Sequence, residues 1–489
     1  MTKQITDQEL LSLTEEQAAQ LLRQGDETVI WALLRLVALA KTNNPLAPAL
    51  STPSSQIPPY QKPAAKKGRK KRGRPEGHEG TRRATPLAID RREEHSLAQC
   101  PECGGPVGPS INERRRIIED IEKTRPVTTE HTIHSHWCPK CRKRVEPRVT
   151  DALPKSTIGN SALVLGSWFH YGLGQTTSQV AQLFDSVFHF PVSASGLVQQ
   201  WMRLADILLP WYEQIAQEAR ESAVLNVDET GWRVNGKTHW LWCFTALSLT
   251  LYDIDPTRSS AVPSRVLAEC FEGIVVSDFY GAYNVITGER QLCLVHLLRE
   301  IEKVNETNQG EEWKRFGATL KRIVKDAIRL SRREDRETLV DLAQDDEAAS
   351  EAATGEETNV DPSVYRRRVN RIHLRLDELI SHSDWSDADC TRLVKRLEKY
   401  RHSLFTFLDN AAVPFDNNRA EREIRPAVIA RKNSFHNASE RGAATQAILM
   451  SIYRTLKLRG LDPVETLADA LTLFIATGQL SALPAKPPG

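Results

Sequence analysis

No apolar stretch in this chain reaches the ~18 residues that a bilayer-spanning helix needs, and Arg35 interrupts the best candidate, Val29 to Ala40. No secretory leader pattern opens the sequence, so export is not expected. Net charge is also nearly absent: 65 Lys and Arg face 63 Asp and Glu, leaving +2. The total therefore indicates no partner, and only the distribution of charge is informative. A length of 489 residues excludes a disulfide-dense mini-protein and, at roughly 150 residues per domain, suggests about three units. With 40% apolar and 26% charged residues, wholesale disorder is excluded as well. Eight cysteines without secretory features indicate a reduced, intracellular setting, where clustered thiols hold a metal more often than they form bridges.

What is present comes in blocks. Residues 1–42 read as an N-terminal helical segment, with Asp7 as a candidate N-cap and Gly25 as an interruption. Residues 43–85 read as a linker. Six prolines between Asn43 and Ala65 keep its first half extended. Ten Lys or Arg residues between Lys62 and Arg83, against Glu76 and Glu79, make its second half a segment that attracts phosphate. Within it, Lys70, Lys71, Arg72 and Arg74 are candidate DNA contacts. Arg72-Gly73-Arg74-Pro75 suits a narrow A·T minor groove, and equally suits a soluble basic spacer.

Residues 86–152 carry Cys100-x-x-Cys103 and Cys138-x-x-Cys141, separated by 34 residues. Two such turns can present four thiolates to one tetrahedral ion with no open position, which means a structural zinc and not a catalytic one. Residues 153–220 read as helices, with Thr176 or Thr177 and Ser193 or Ser195 as caps. TTSQVAQLF, a short turn and VSASGLVQQW resemble a helix-turn-helix, a pattern shared with ordinary helical hairpins. From 221 to 300 the signal switches to strands: AVLNVDE, HWLWCFTAL, LTLYDID, a helix near Ser264 to Phe271, IVVSDF and QLCLVH. Three strands at hairpin spacing followed by strands separated by a helix indicate a mixed sheet. Residues 301–408 read as a helical insertion, with an acidic solvated loop at Asp345 to Asp361. Residues 409–440 return to the core, and 441–489 form a C-terminal helical segment and tail.

Three carboxylates carry the candidate chemistry. Asp228 lies at the end of the first strand, where alternation turns Glu229 to the opposite face. Asp278 follows the apolar run IVV, and neighbouring central strands would place the two aspartates side by side. Buried carboxylates are costly unless paired, protonated or bound to a cation. Glu421 sits in FDNNRAEREIRPAVIARK, where Asp416 caps a short helix that Pro426 ends or kinks. Asn417, Glu421 and Arg425 share a face of that helix, offering a ligand and two polar groups to a phosphate. Such a set suits two hard cations in an in-line attack on a phosphodiester.

NVDETGW, VVSDFYGAYN and DNNRAEREIRP…RK, in this order with a long helical stretch between the last two, resemble the insertion sequence 66 family of bacterial transposases. The lead-in GRPEGHEG, the paired Cys-x-x-Cys and ERGAATQAILMSIYRTLKLRGLDP extend the resemblance over nearly the whole chain. It implies an Asp-Asp-Glu active site on a ribonuclease H-like fold, with the triad on Asp228, Asp278 and Glu421. It also implies two Mg2+ (or Mn2+) there, one structural Zn2+ on the cysteines, and phosphate contacts from Arg425, Arg431 and Lys432. The irregular leucines of residues 7 to 41 depart from the regular heptads that often open such chains.

Cys293-x-x-His296 resembles a signature of related transposases and is assigned a structural role, packing the fifth strand on the insertion. Trp232 suits stacking on an unpaired base or packing beside the first strand. The reading is a multidomain α+β DNA transposase of the bacterial cytoplasm, bound to the nucleoid when on DNA. It binds element ends and target DNA as a homo-multimer, with accessory proteins of the same element implied. The alternatives are a ribonuclease H-like nuclease and a zinc-containing DNA-binding regulator.

Overall fold

The computed structural model describes residues 88–486 except 113, 119–124, 268–270, 335–361, 383–384 and 435–436, and the isolated positions 23, 29 and 32. The N-terminal helical segment (apart from those three positions), the Pro-rich linker, the basic arm with Lys70, Lys71, Arg72 and Arg74, and the acidic loop lie outside the described residues.

Two small strands, β1 (His136–Cys138) and β2 (Lys143–Val145), form an antiparallel hairpin whose turn holds Cys141. Helix α1 (Asn160–Ser167) runs into a π-helical turn, Trp168–Gly172. Helix α2 (Thr177–Phe188) begins at a capping box in which the Thr176 hydroxyl accepts from the Gln179 amide and Gln179 accepts from the Thr176 amide. His189, at φ 53°, ends it. Helix α3 (Ala194–Arg220) starts at Ser193. It is 27 residues long and buries Leu197, Trp201, Leu204, Leu208, Trp211 and Ile215 along one face. The second helix of the helix-turn-helix-like pair is therefore a spine of the core, with its opposite face exposed from Ser195 through Gln199, Asp206 and Glu213 to Gln217.

The sheet has strand order β5-β4-β3-β6-β7. Strands β3 (Val224–Val234), β4 (Lys237–Thr245) and β5 (Thr250–Asp255) form an antiparallel meander. The β3–β4 turn is Asn235-Gly236, both at positive φ, the chemistry of a two-residue hairpin. Helix α4 (Ala261–Leu267) then crosses over, and β6 (Ile274–Ser277) joins β3 in parallel. Gly273 permits this close entry, because a Cβ there would lie 2.2 Å from the Ser222 carbonyl. Strand β7 (Arg290–Leu292) pairs in parallel with β6. It is shorter than QLCLVH suggests: Cys293 caps the next helix, and Leu294 already begins it.

The insertion consists of α5 (Leu294–Thr307), α6 (Glu311–Glu334), α7 (Pro362–Ser381), α8 (Ala388–Lys399) and the short α9 (Thr406–Asp409). Helix α5 buries Leu294, Leu297, Ile301 and Val304, the spacing of one helical face. With Trp313, Phe316, Leu376, Leu393 and Phe405 these make an apolar cluster of their own, which reaches the sheet through Ile274 and Val276. Three helices close the chain: α10 (Asn418–Ser434), α11 (Glu440–Leu458) and α12 (Pro463–Thr477). A second cluster runs from Leu153 to Leu483, so the helices before and after the strands pack on the same core. Helix α10 continues through Pro426. Although the ring removes one helix hydrogen bond, Ala420, Ile424, Ala427 and Ala430 bury the same face on both sides of it. No helix among the described residues is long and apolar enough to cross a membrane.

Candidate active site

Strand β3 carries on beyond Asp228 because the Asn235-Gly236 hairpin extends its pairing with β4 to Val234. Asp228 therefore stands mid-strand, not at a strand end. Pairing with β6, however, is confined to Val224↔Ile274, Leu225↔Val275 and Asn226↔Val276. Asp228 is two residues past this last pair on β3 and Asp278 two past it beyond β6, so both occupy the point where the parallel strands part. Both are half-buried.

Burial is the main reason that the Asp228 carboxyl is held well above the usual range, and the charges of Glu229, Asp278 and Glu421 push in the same direction. Asp278 is raised by burial, against a hydrogen bond from the Tyr280 amide to its Oδ1. Glu421 adds to the rise at Asp278 as well. The three acids thus feel one another's charge. They have not closed into a ligand cluster: among the described residues no three His, Cys, Asp or Glu side chains are grouped to hold a metal ion.

Glu229 faces away, as strand alternation requires. It is buried, ion-paired to Arg258 and accepts the Tyr283 hydroxyl. The Arg258 guanidinium lies 3.7 Å from the centre of the Tyr280 ring and 4.8 Å from that of Trp240, and its carbonyl accepts the Tyr280 hydroxyl. This layer fixes the backbone after Asp278.

Glu421 enters from the first turn of α10. Asp416 accepts the Asn418 amide at the helix start. Asn417 is 1% exposed and does not face a substrate, because its side chain is fully engaged in docking the helix. Its Oδ1 accepts from Asn226 Nδ2 at 3.0 Å and its Nδ2 donates to the Val227 carbonyl at 2.7 Å. Its amide donates to Cys293 Sγ at 3.2 Å. Cys293 thus joins strand, insertion and α10. His296 does something the sequence did not reveal. Its Nε2 lies 3.6 Å from Glu421 Oε1, as does Arg299 Nη1. Glu421 Oε1 and His296 Nδ1 are both buried with no hydrogen-bond partner. The Cys-x-x-His spacing was the available signal, read as packing alone.

The remaining basic residues divide. Arg425 and Lys432 are exposed on α10. Arg431 Nη1 donates to Thr230 Oγ1 and the Gly231 carbonyl, and so ties α10 to β3. Trp232 is 3% exposed and its indole N–H donates to Asn437 Oδ1. It packs beside the strand and cannot stack on a base.

Each Cys-x-x-Cys pair sits on its own turn. The Cys100 carbonyl accepts from Gly104, which has φ 73°, and Cys138 Sγ accepts the Cys141 amide. Backbone amides of Cys103 and Glu102 lower the Cys100 thiol, and those of Cys141 and Lys140 lower Cys138. The two turns are not drawn into one cluster: among the described residues no three His, Cys, Asp or Glu side chains, these cysteines included, are grouped to hold a metal ion.

The oxygen donors of Asp228, Asp278 and Glu421 fit a hard divalent cation. Two mutually repelling aspartates and a glutamate oxygen without a hydrogen bond are groups that such a cation would satisfy.

A family model described as transposase IS66 family matches residues 155–445. Three uncharacterized proteins of Sinorhizobium fredii (strain NBRC 101917 / NGR234) are similar. Protein y4qI is 26% identical over 422 residues, 78% of this chain and 72% of its own. Protein y4hP is 23% identical over 76% of this chain and 70% of its own. Protein y4jD is 25% identical over 46% and 42%.

Proposed function

The chain belongs to the IS66 family of transposases, and from this premise we propose that it binds the terminal repeats of its own element and carries out metal-dependent cleavage and strand transfer of DNA. The observation that carries the reading is the placement of Asp228 and Asp278 two residues past the same register pair of adjacent parallel strands, with Glu421 close enough to raise both. Strand order and direction support a ribonuclease H-like core.

Asp228, Asp278 and Glu421 would hold Mg2+ or Mn2+, which supplies activation of the attacking oxygen and neutralises charge on the leaving one. The protein's own contribution is placement. Asn417 locks α10 onto β3, so the glutamate cannot drift from the aspartates. The Tyr280 amide fixes Asp278, and the Glu229–Arg258–Tyr283 layer holds the backbone behind it. Arg299 sets a positive charge beside Glu421, next to His296, whose protonation burial disfavours, and Arg425 and Lys432 present exposed cations to flanking phosphates. Water and then a liberated 3′-hydroxyl would be the attacking groups, so no serine or tyrosine is assigned as nucleophile. The four cysteines would hold one structural zinc.

Purified protein incubated with Mg2+, end-containing DNA and a target plasmid tests the reading. Joined products are expected. Nicks without joining would indicate a nuclease, and binding without either would indicate a regulator.

A further inference from the structure

The insertion, which lies between Asp278 and Glu421 in sequence, carries a charged concavity. One hollow of ≈ 440 Å³ sets Arg315 and Arg322 of α6 opposite Arg375 of α7, with His382 and Trp385 at its end. A second hollow of ≈ 360 Å³ sets Arg329 of α6 opposite Arg368 and Arg371 of α7. Arg375 lines both, so the two are one antiparallel groove. The acids facing it are Asp326 and Glu378. Asp326 Oδ2 accepts Arg375 Nη1 at 2.7 Å, and its other oxygen lies 3.7 Å from Arg329. Arg322, Arg368 and Arg371 are exposed.

We propose that these two arginine rows bind the sugar–phosphate backbone of double-stranded DNA outside the catalytic centre. Positions 315, 322 and 329 repeat every seven residues and share a face. At 1.5 Å per residue the row is about 21 Å long, which matches roughly six phosphates of one strand at ~3.4 Å each. Guanidinium groups suit phosphate oxygens because they donate in pairs from a planar fork. Six arginines against Asp326 and Glu378 line the walls, so the expected recognition is of backbone charge and independent of sequence. The inference rests on the transposase reading and adds to it a track for DNA flanking the cut.

The test uses the full chain and a 30-base-pair duplex of arbitrary sequence. The triple variant Arg322→Gln, Arg368→Gln, Arg371→Gln should bind it more weakly, and its log–log salt slope should be shallower by about 3, at ~0.9 per lost phosphate contact. The variant should still join a short duplex that ends just past the cut. In the unmodified protein, phenylglyoxal should label these three arginines, and saturating duplex should protect them. An unchanged slope in the folded variant, or labelling indifferent to duplex, overturns the proposal. Protection by an RNA duplex with none by DNA overturns it also. If the unmodified protein neither binds nor joins DNA, the transposase reading fails instead.

Discussion

Asp278 stands level with Asp228 across two parallel strands. Asn226 and Val276 are register partners, and each aspartate lies two residues beyond its partnered neighbour. The backbone pairing thereby sets both aspartates just beyond one and the same register pair.

Replacing Asp228, Asp278 or Glu421 by Ala should each lower strand joining by about 10³-fold or more, roughly 4 kcal/mol at ~1.36 kcal/mol per decade. End binding, followed by gel shift, should persist. Joining retained by any single variant would remove that residue from the triad.

Asn417→Ala should destabilise the folded chain by about 2–3 kcal/mol, since it leaves the buried Asn226 amide and the Val227 carbonyl unpaired. Chemical denaturation would show a lower midpoint. An unchanged midpoint would mean that α10 docks through its apolar face alone.

Trp232→Phe should cost about 1 kcal/mol through the lost bond to Asn437, with DNA affinity unchanged. Weaker DNA binding in a protein of normal stability would restore the base-stacking reading.

Elemental analysis should find one zinc per chain, absent from a Cys100→Ser, Cys138→Ser variant. Chelation should render residues 88–152 sensitive to protease while the sheet stays protected. A metal-free preparation with an intact, protease-resistant segment would refute the zinc.

Alkylation at pH 8 should separate the thiols. Burial pushes Cys293 up to about 11 and Cys390 up to about 12, so both stay neutral and unreactive in the folded chain. Cys100 and Cys138 are lowered and should react once zinc is removed. A buried neutral thiol stabilises the fold fully below its free value of ~8.5. That contribution fades as pH rises toward 11, so unfolding and Cys293 labelling should increase together over this window.

The strands that carry NVDE and IVVS were legible through their buried apolar runs, although the hairpin with β4 carries β3 on past Asp228. The helical signal from Leu298 to about Leu408 was legible too, although the first helix starts at Leu294, inside the run read as a strand. The direction of Asn417 was not legible. Helical spacing put Asn417 on the face of Glu421, but only tertiary packing decided that its amide would turn inward to Asn226. Pro426 misled for a similar reason: propensity penalises it, while burial of Ile424 and Ala427 on either side keeps the helix whole. The approach of His296 to Glu421 joins residues 125 apart, and no local pattern reports such a meeting.

Between β7 and α10 the chain completes an entire helical body before the glutamate is made. If the proposed triad holds, a ribosome that stalls anywhere in that interval releases a product with both aspartates and no Glu421. Such a fragment would be harmless to the chromosome that encodes it, and destructive capacity would arrive only with the last part of translation.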